Sequence, residues 1–218
     1  MSCAAVIVAS GSSRRMGFDK LAAELNGRPV LRTSIDRFMA APSITRVVVV
    51  CPQERFDALL DGEFPKPLER VDGGTERQDS VIAGLNALDT ETLVAVHDGA
   101  RPLITVEAIE TCIAAATEFG AASLARPISE TIKRADARGF SQEGVDRDGL
   151  WHTETPQIFR TKLLKEAYEL VCANGLAVTD EVSAVEALGV ETKLVTSATP
   201  NLKITHPADL ALAEALVH

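Results

Sequence analysis

The chain has 218 residues, 46% hydrophobic and 24% charged, which excludes a disordered or fibrous protein and permits one sizeable core. Aromatics make up only 4%, so that core must be aliphatic. The net charge of −9 argues against duplex binding, which needs a basic face, and no nucleic-acid partner is expected.

Cys3, Cys51, Cys112 and Cys172 lie far apart and form no CxxC pair, so a zinc ribbon is excluded and reduced, mostly buried thiols are expected. The start of the chain lacks the basic region of a signal peptide, and no run approaches the ~18 apolar residues of a membrane span. A cytoplasmic location with no membrane association follows as the expectation.

In chain order, short aliphatic runs at 4–9, 46–51, 68–71, 93–97, 122–125 and 192–195 read as strands. Amphipathic segments at 29–39, 76–88, 106–118, 161–171, 181–187 and 207–216 read as helices. Buried parallel strands give unbroken β-branched runs, as Val47-Val48-Val49-Val50 does. The alternation predicts an α/β fold, a mostly parallel sheet with helices against it. The polar stretch at about 129–150 interrupts this pattern. Thr131-Ile132-Lys133-Arg134 followed by a turn at Gly139, with Asp148-Gly149 later, predicts a projecting hairpin that packs on a second copy of the chain. A mobile surface excursion is the alternative.

Three segments carry candidate chemistry. The first strand ends in Ala9-Ser10-Gly11-Ser12-Ser13-Arg14-Arg15-Met16-Gly17-Phe18-Asp19-Lys20, which is neither a Walker A motif nor a dinucleotide fingerprint. Its small residues can turn amides toward an anion, and its cations can hold phosphate. An ordinary βα loop with solvated basic residues is the competing reading.

The second segment, Val71-Asp72-Gly73-Gly74-Thr75-Glu76-Arg77-Gln78-Asp79-Ser80, predicts a helix capped near Thr75 with Arg77 and Ser80 on one face. The third, Val96-His97-Asp98-Gly99-Ala100-Arg101-Pro102, places a carboxylate after a strand, where it could hold Mg²⁺ or simply pair with Arg101. His97 has no partner at metal-ligand spacing and reads as structural. Thr179-Asp180-Glu181 has the form of a helix cap with two acids in the first turn.

Together with Thr155-Pro156-Gln157 and Asn201-Leu202-Lys203, these segments resemble the 2-C-methyl-D-erythritol 4-phosphate cytidylyltransferase family, colinearly over roughly residues 4–217. The resemblance implies a Rossmann-like nucleotidyltransferase three-layer sandwich, a single domain over 1–218, with the hairpin serving as a dimerisation arm.

The implied reaction joins CTP to methylerythritol 4-phosphate, a polyol phosphate, with release of pyrophosphate, in the non-mevalonate route to isoprenoid precursors. A phosphate monoester loses its second proton near pH ~6, so the nucleophile is already ionised and no general base is required. By match of position, Arg15 and Lys20 are the implied transition-state stabilisers, and Ser10, Gly11 and Ser12 the triphosphate loop. Gly73, Gly74, Arg77 and Ser80 fall on the cytidine side, and Asp98 is the metal-associated carboxylate for Mg²⁺. Arg147 and Lys203 are the implied catalytic residues that position the sugar phosphate, with Arg101, Thr131, Thr155 and Thr179 nearby.

In the family the hairpin enters the partner subunit, so Thr131 and Arg147 are expected to serve the neighbour's site in a homodimer. Ser10, Ser13 and Pro200 depart from the common family pattern, and the stretch from Arg15 to Lys20 is short. A ribitol 5-phosphate cytidylyltransferase and a silent nucleotide-binding module are the alternatives.

Overall fold

The computed structural model describes residues 2–11 and 17–216. The candidate residues Ser12 and Arg15 lie outside the described residues.

The first strand, β1 (Cys3–Val8), shows its period of two directly. Ala5 and Ile7 enter the core on one face, Ala4 and Val6 the core on the other. A small hairpin, β2 (Glu24–Leu25) and β3 (Arg28–Pro29), leads into α1 (Val30–Ala40), followed by β4 (Ile44–Val50) and a short helix α2 (Gln53–Leu59). Neither the small hairpin nor α2 was expected from the sequence pattern. The chain continues through β5 (Leu68–Val71), α3 (Arg77–Asn86), β6 (Leu93–Asp98) and α4 (Val106–Phe119). Thr105 caps α4 by accepting from the Ala108 amide, and Gly120 ends it at φ 88°, a left-handed conformation that suits glycine.

Next come β7 (Ala121–Pro127), the arm strands β8 (Ile132–Ala135) and β9 (Ser141–Val145), and β10 (Trp151–Arg160). The last elements are α5 (Thr161–Ala173), α6 (Glu181–Glu186), β11 (Lys193–Val195) and α7 (Pro207–Leu216). The main sheet has seven strands in the order β11-β7-β10-β6-β1-β4-β5. Helices α1 and α4 bury Leu31, Ile35, Phe38, Ile109 and Cys112 on one face; α3 and α5 bury Val81, Leu85, Leu164 and Val171 on the other. The result is the expected three-layer sandwich.

Strand β10 is absent from the strands that the sequence pattern predicts. It lies inside the sheet, antiparallel to both β6 and β7. Pro156 has no amide to give a ladder, and it falls where the β7 register shifts, between Thr153 and Gln157. Proline and a run of polar residues hid the strand from pattern reading.

The arm forms as expected, an exposed two-stranded sheet of its own, pairing Ile132 with Val145 and Arg134 with Glu143. Cys3, Cys51 and Cys112 are buried, Cys172 is exposed, and all four are free thiols. No described helix is long and apolar enough to cross a membrane.

Candidate active site

From β1 the chain moves outward through β4 and β5, then returns by α3 to β6 on the other side of β1. Such a reversal opens a crevice at the carboxyl ends of the two central strands. Val8 and Asp98 are register partners there, and the Gly99 amide donates to the Val8 carbonyl at 3.0 Å. The loop that begins at Ala9 therefore starts beside Asp98.

Asp98 gathers three cations from three parts of the chain. Lys203 Nζ lies 2.7 Å from Oδ2, Arg77 Nε 3.3 Å from Oδ1, and Arg101 Nε 3.8 Å from Oδ2. The competing reading of a lone Asp98–Arg101 pair is thus overturned. Burial by itself would raise the carboxyl's pKa; the charges of Arg77, Lys203 and Arg101 prevail and hold it well below the usual carboxylate range. With Glu181 also bound to Arg77, two carboxylates meet three cations, which leaves a positive surplus suited to an anion.

Arg77 is held in turn by Glu181. Its two terminal nitrogens donate to Glu181 Oε1 at 2.6 Å and Oε2 at 3.0 Å, and the Tyr168 hydroxyl donates to Oε1 at 3.0 Å. Glu181 is fully buried. The cap of α6 is Asp180, whose carboxylate accepts from the Ser183 amide at 3.0 Å, and not Thr179; Glu181, expected as a helix-stabilising acid, points inward onto Arg77. A pattern based on the helix alone could not reveal that ion pair.

The turn before α3 is tied to the loop after β1. Ser10 and Ser80 share a hydroxyl hydrogen bond at 2.8 Å, and the Gly74 amide donates to Ser80 Oγ at 3.2 Å. A Cβ on Gly73 would stand 2.6 Å from Ser10 Cβ, and one on Gly74 2.2 Å from Asp79 Cβ, so both positions require glycine. The helix cap is Glu76, in a reciprocal box with Asp79, one residue beyond the expected Thr75. Gly11 is exposed at the mouth of this region.

Two residues named as ligands lie deeper than that. Ser80 is buried, its hydroxyl spent on Ser10, Gly74 and the Glu76 carbonyl. Thr155 is buried as well; its hydroxyl accepts from the Asp98 amide at 3.1 Å and bonds His97 Nδ1 at 3.0 Å. Each hydroxyl is bonded to a residue of the crevice, that of Ser80 to Ser10 and that of Thr155 to Asp98.

His97 is structural, as expected. Its Nε2 bonds the Arg101 carbonyl at 3.2 Å, and its ring packs 4.8 Å from that of Phe38. Burial pushes its pKa down from 6.5 to about 3. The unfolded chain binds a proton there below pH 6.5 and the folded chain does not until about pH 3, so acid favours unfolding across that window. Stability should fall by about 1 kcal/mol per pH unit between pH 6.5 and 5, where carboxylates of ordinary pKa are still mostly ionised. Urea midpoints at pH 7 and pH 5 measure this, and equal midpoints would refute it.

The segment after β11 completes the crevice. Arg101 Nη1 donates to the Asn201 carbonyl at 2.7 Å, Asn201 Nδ2 to the Thr155 carbonyl at 2.7 Å, and the Ile204 amide to the Ala100 carbonyl at 2.9 Å. Lys20 Nζ reaches the Ile204 carbonyl at 2.9 Å, which brings the first loop against the Lys203 segment. A cleft of about 600 Å³ lies alongside, lined by Arg101, Arg126, Thr153, Glu154, Asn201 and Lys203.

Three expected site residues are not brought to this crevice within one chain. Arg147 is exposed on the arm and donates to the Ser129 carbonyl. It lines a separate hollow of about 540 Å³ between Pro127 and Trp151 that shares no residue with the cleft. Thr131 is exposed on the same arm, and Thr179 is exposed as well, its hydroxyl 3.3 Å from that of Ser183.

Among the described residues no three His, Cys, Asp or Glu side chains cluster as a metal cage. Mg²⁺ commonly binds through one or two carboxylates plus substrate phosphates, and Asp98 is an ionised single donor of that kind. The donor set fits a metal that arrives with a triphosphate.

This fold and this concentration of cations at a strand-end crevice define an enzyme of the nucleotidyltransferase class. Residues 3–218 match the family model for IspD, 2-C-methyl-D-erythritol 4-phosphate cytidylyltransferase. A protein of that name from Geobacillus kaustophilus is 39% identical, with 100% of this chain and 97% of that protein covered. The bifunctional enzyme IspD/IspF of Desulforudis audaxviator is 43% identical over 98% of this chain, which spans 56% of that longer protein. The crystal structure of the Thermus thermophilus enzyme of the same name as the family superposes with a TM-score of 0.83 at 31% identity, covering 99% of this chain and 98% of that one. The Francisella tularensis enzyme gives 0.87 at 27% identity with both chains fully covered. The chain belongs to the 2-C-methyl-D-erythritol 4-phosphate cytidylyltransferase family.

Proposed function

We propose that the protein transfers a cytidylyl group from CTP to 2-C-methyl-D-erythritol 4-phosphate, forming the diphosphocytidyl alcohol and pyrophosphate. The observation that carries this is the convergence of Arg77, Arg101 and Lys203 on Asp98 beside the loop after β1, within a chain of this family.

The acceptor's phosphate oxygen attacks the α-phosphorus of CTP, a new P–O bond forms, and the bond to pyrophosphate breaks. The obstacle is electrostatic, since a dianion must approach a triphosphate; the cations here offset that repulsion and the charge that develops on reaction. Lys20 and Arg15 take the triphosphate, and Lys203 with Arg101 takes the acceptor's phosphate. Arg77 is committed to Glu181, and its part is to hold Asp98 in place. A magnesium ion, held by Asp98 and the substrate's phosphates, would neutralise part of the triphosphate charge.

The protein acts as a homodimer in the cytoplasm in this reading, each arm presenting Thr131 and Arg147 to the neighbour's crevice. Support comes from the separation of the arm's hollow from the cleft beside Asp98 and from the exposure of Phe140, Leu150 and Trp151 on or beside the arm. Pyrophosphate release with CTP and Mg²⁺ tests the activity: methylerythritol 4-phosphate should be strongly preferred to ribitol 5-phosphate, and the reverse preference would move the acceptor. Mixing Arg147→Ala with Lys20→Ala protomers should restore about a quarter of wild-type activity if sites are shared, because half the dimers are mixed and each carries one intact site. No recovery despite demonstrated subunit exchange would refute the shared site.

A further inference from the structure

Arg55 lies on α2, an element the sequence pattern did not disclose, yet its side chain is turned into the loop after β1 and is largely covered, 13% exposed. Its Nη1 donates to the Ala9 carbonyl, its Nη2 to the Gly11 carbonyl at 3.3 Å, and its Nε to Asp19 Oδ2 at 3.0 Å. One guanidinium therefore grips both the entry and the exit of the loop. Asp19 also organises the turn after it: its Oδ1 accepts from the Leu21 amide at 3.1 Å, and its carbonyl accepts from the Ala22 and Ala23 amides, each at 3.1 Å. Lys20 sits inside that turn.

An anion site must present amide protons and keep carbonyl oxygens turned away. A peptide unit is planar and trans, so with the Ala9 carbonyl directed onto Arg55 the Ser10 amide proton points the opposite way. Arginine suits this task because its planar fork donates in several fixed directions at once, which a lysine ammonium does not reproduce.

We propose that Arg55 is a positioning residue that ties the described ends of the loop after β1 together and sets the polarity at its entry, holding the Ala9 and Gly11 carbonyls so that the Ser10 amide and Lys20 face the triphosphate. The proposal rests on the cytidylyltransferase reading for the identity of the anion. Arg55 touches no substrate in this scheme.

The test compares wild type, Arg55→Met and Arg55→Lys by CTP titration, by steady-state kinetics in each substrate, and by hydrogen exchange of the peptide spanning residues 9–20. Arg55→Met should weaken CTP binding about 10-fold or more, leave the acceptor KM within about twofold, and speed exchange in that peptide alone; these are scales expected for loss of charged hydrogen bonds. Arg55→Lys should recover only part, and adding guanidinium to Arg55→Ala should restore part of the CTP affinity. Unchanged CTP affinity and exchange in Arg55→Met overturns the clamp and leaves the cytidylyltransferase reading intact. A wild type that binds no CTP overturns both. Equal weakening of CTP and acceptor, with faster exchange throughout the chain, overturns the clamp in favour of a general contribution to folding.

Discussion

Replacing Arg77 with methionine should destabilise the protein by about 3–5 kcal/mol, the range for removing one partner of a buried ion pair. Glu181 is fully buried and its two oxygens meet Arg77 and Tyr168, so without the guanidinium a carboxylate is left in the core with a single phenol donor. Asp98 loses Arg77 in the same step. Adding Glu181→Gln to Arg77→Met should recover part of the loss, because the orphaned charge is then gone. Urea unfolding of the four proteins in this cycle measures the coupling, and an Arg77→Met protein within about 1 kcal/mol of wild type would show the network to be dispensable, far below the scale expected for a buried pair.

Lys20→Ala should reduce kcat by about 10²-fold or more, the scale of losing one preorganised donor to a developing charge. The chain is acidic overall, with a net charge of −9, so attraction of a triphosphate depends on local cations and not on the mean field. Lys20 is placed at the crevice by its contact with the Ile204 carbonyl, next to Lys203 and hence to Asp98. Lys20→Arg keeps the charge but changes its shape and reach, and should recover only part of the rate. The stability of Lys20→Ala should stay close to that of wild type, which separates this effect from the one at Arg77. A variant turning over at near the wild-type rate would remove Lys20 from the catalytic machinery. Arg15→Ala carries the same expectation.

Much of the fold was legible because its strands are buried on both faces. Val47 to Val50 must lie in such an environment, and the alternation of these runs with amphipathic segments admits few arrangements other than a covered, mostly parallel sheet. The arm was legible for the opposite reason, as polar residues with turn chemistry in a chain otherwise rich in aliphatics. Strand β10 escaped because burial there is supplied by its neighbours β6 and β7 and not announced by its own residues, and because Pro156 reads as a break. Helix α2 buries none of its residues fully, so it has no apolar stripe strong enough to read.

The site divides along the same physical line. Residue type, loop composition and position after strand ends were enough to nominate Lys20, Gly73, Gly74 and Asp98, because an anion site needs small residues, cations and a place for a metal, whereas Arg101 and Lys203 entered as ligands only through the resemblance to the family. The sequence by itself determined the class of fold, the family and the inventory of charged groups. Only the tertiary structure decided which of those groups face one another. It set Arg77 on Glu181 across 104 residues and Lys203 on Asp98, and it turned Arg55 onto the first loop. Pairing of this kind depends on distances across the sheet, and separation along the chain carries no information about them until the strands are in register.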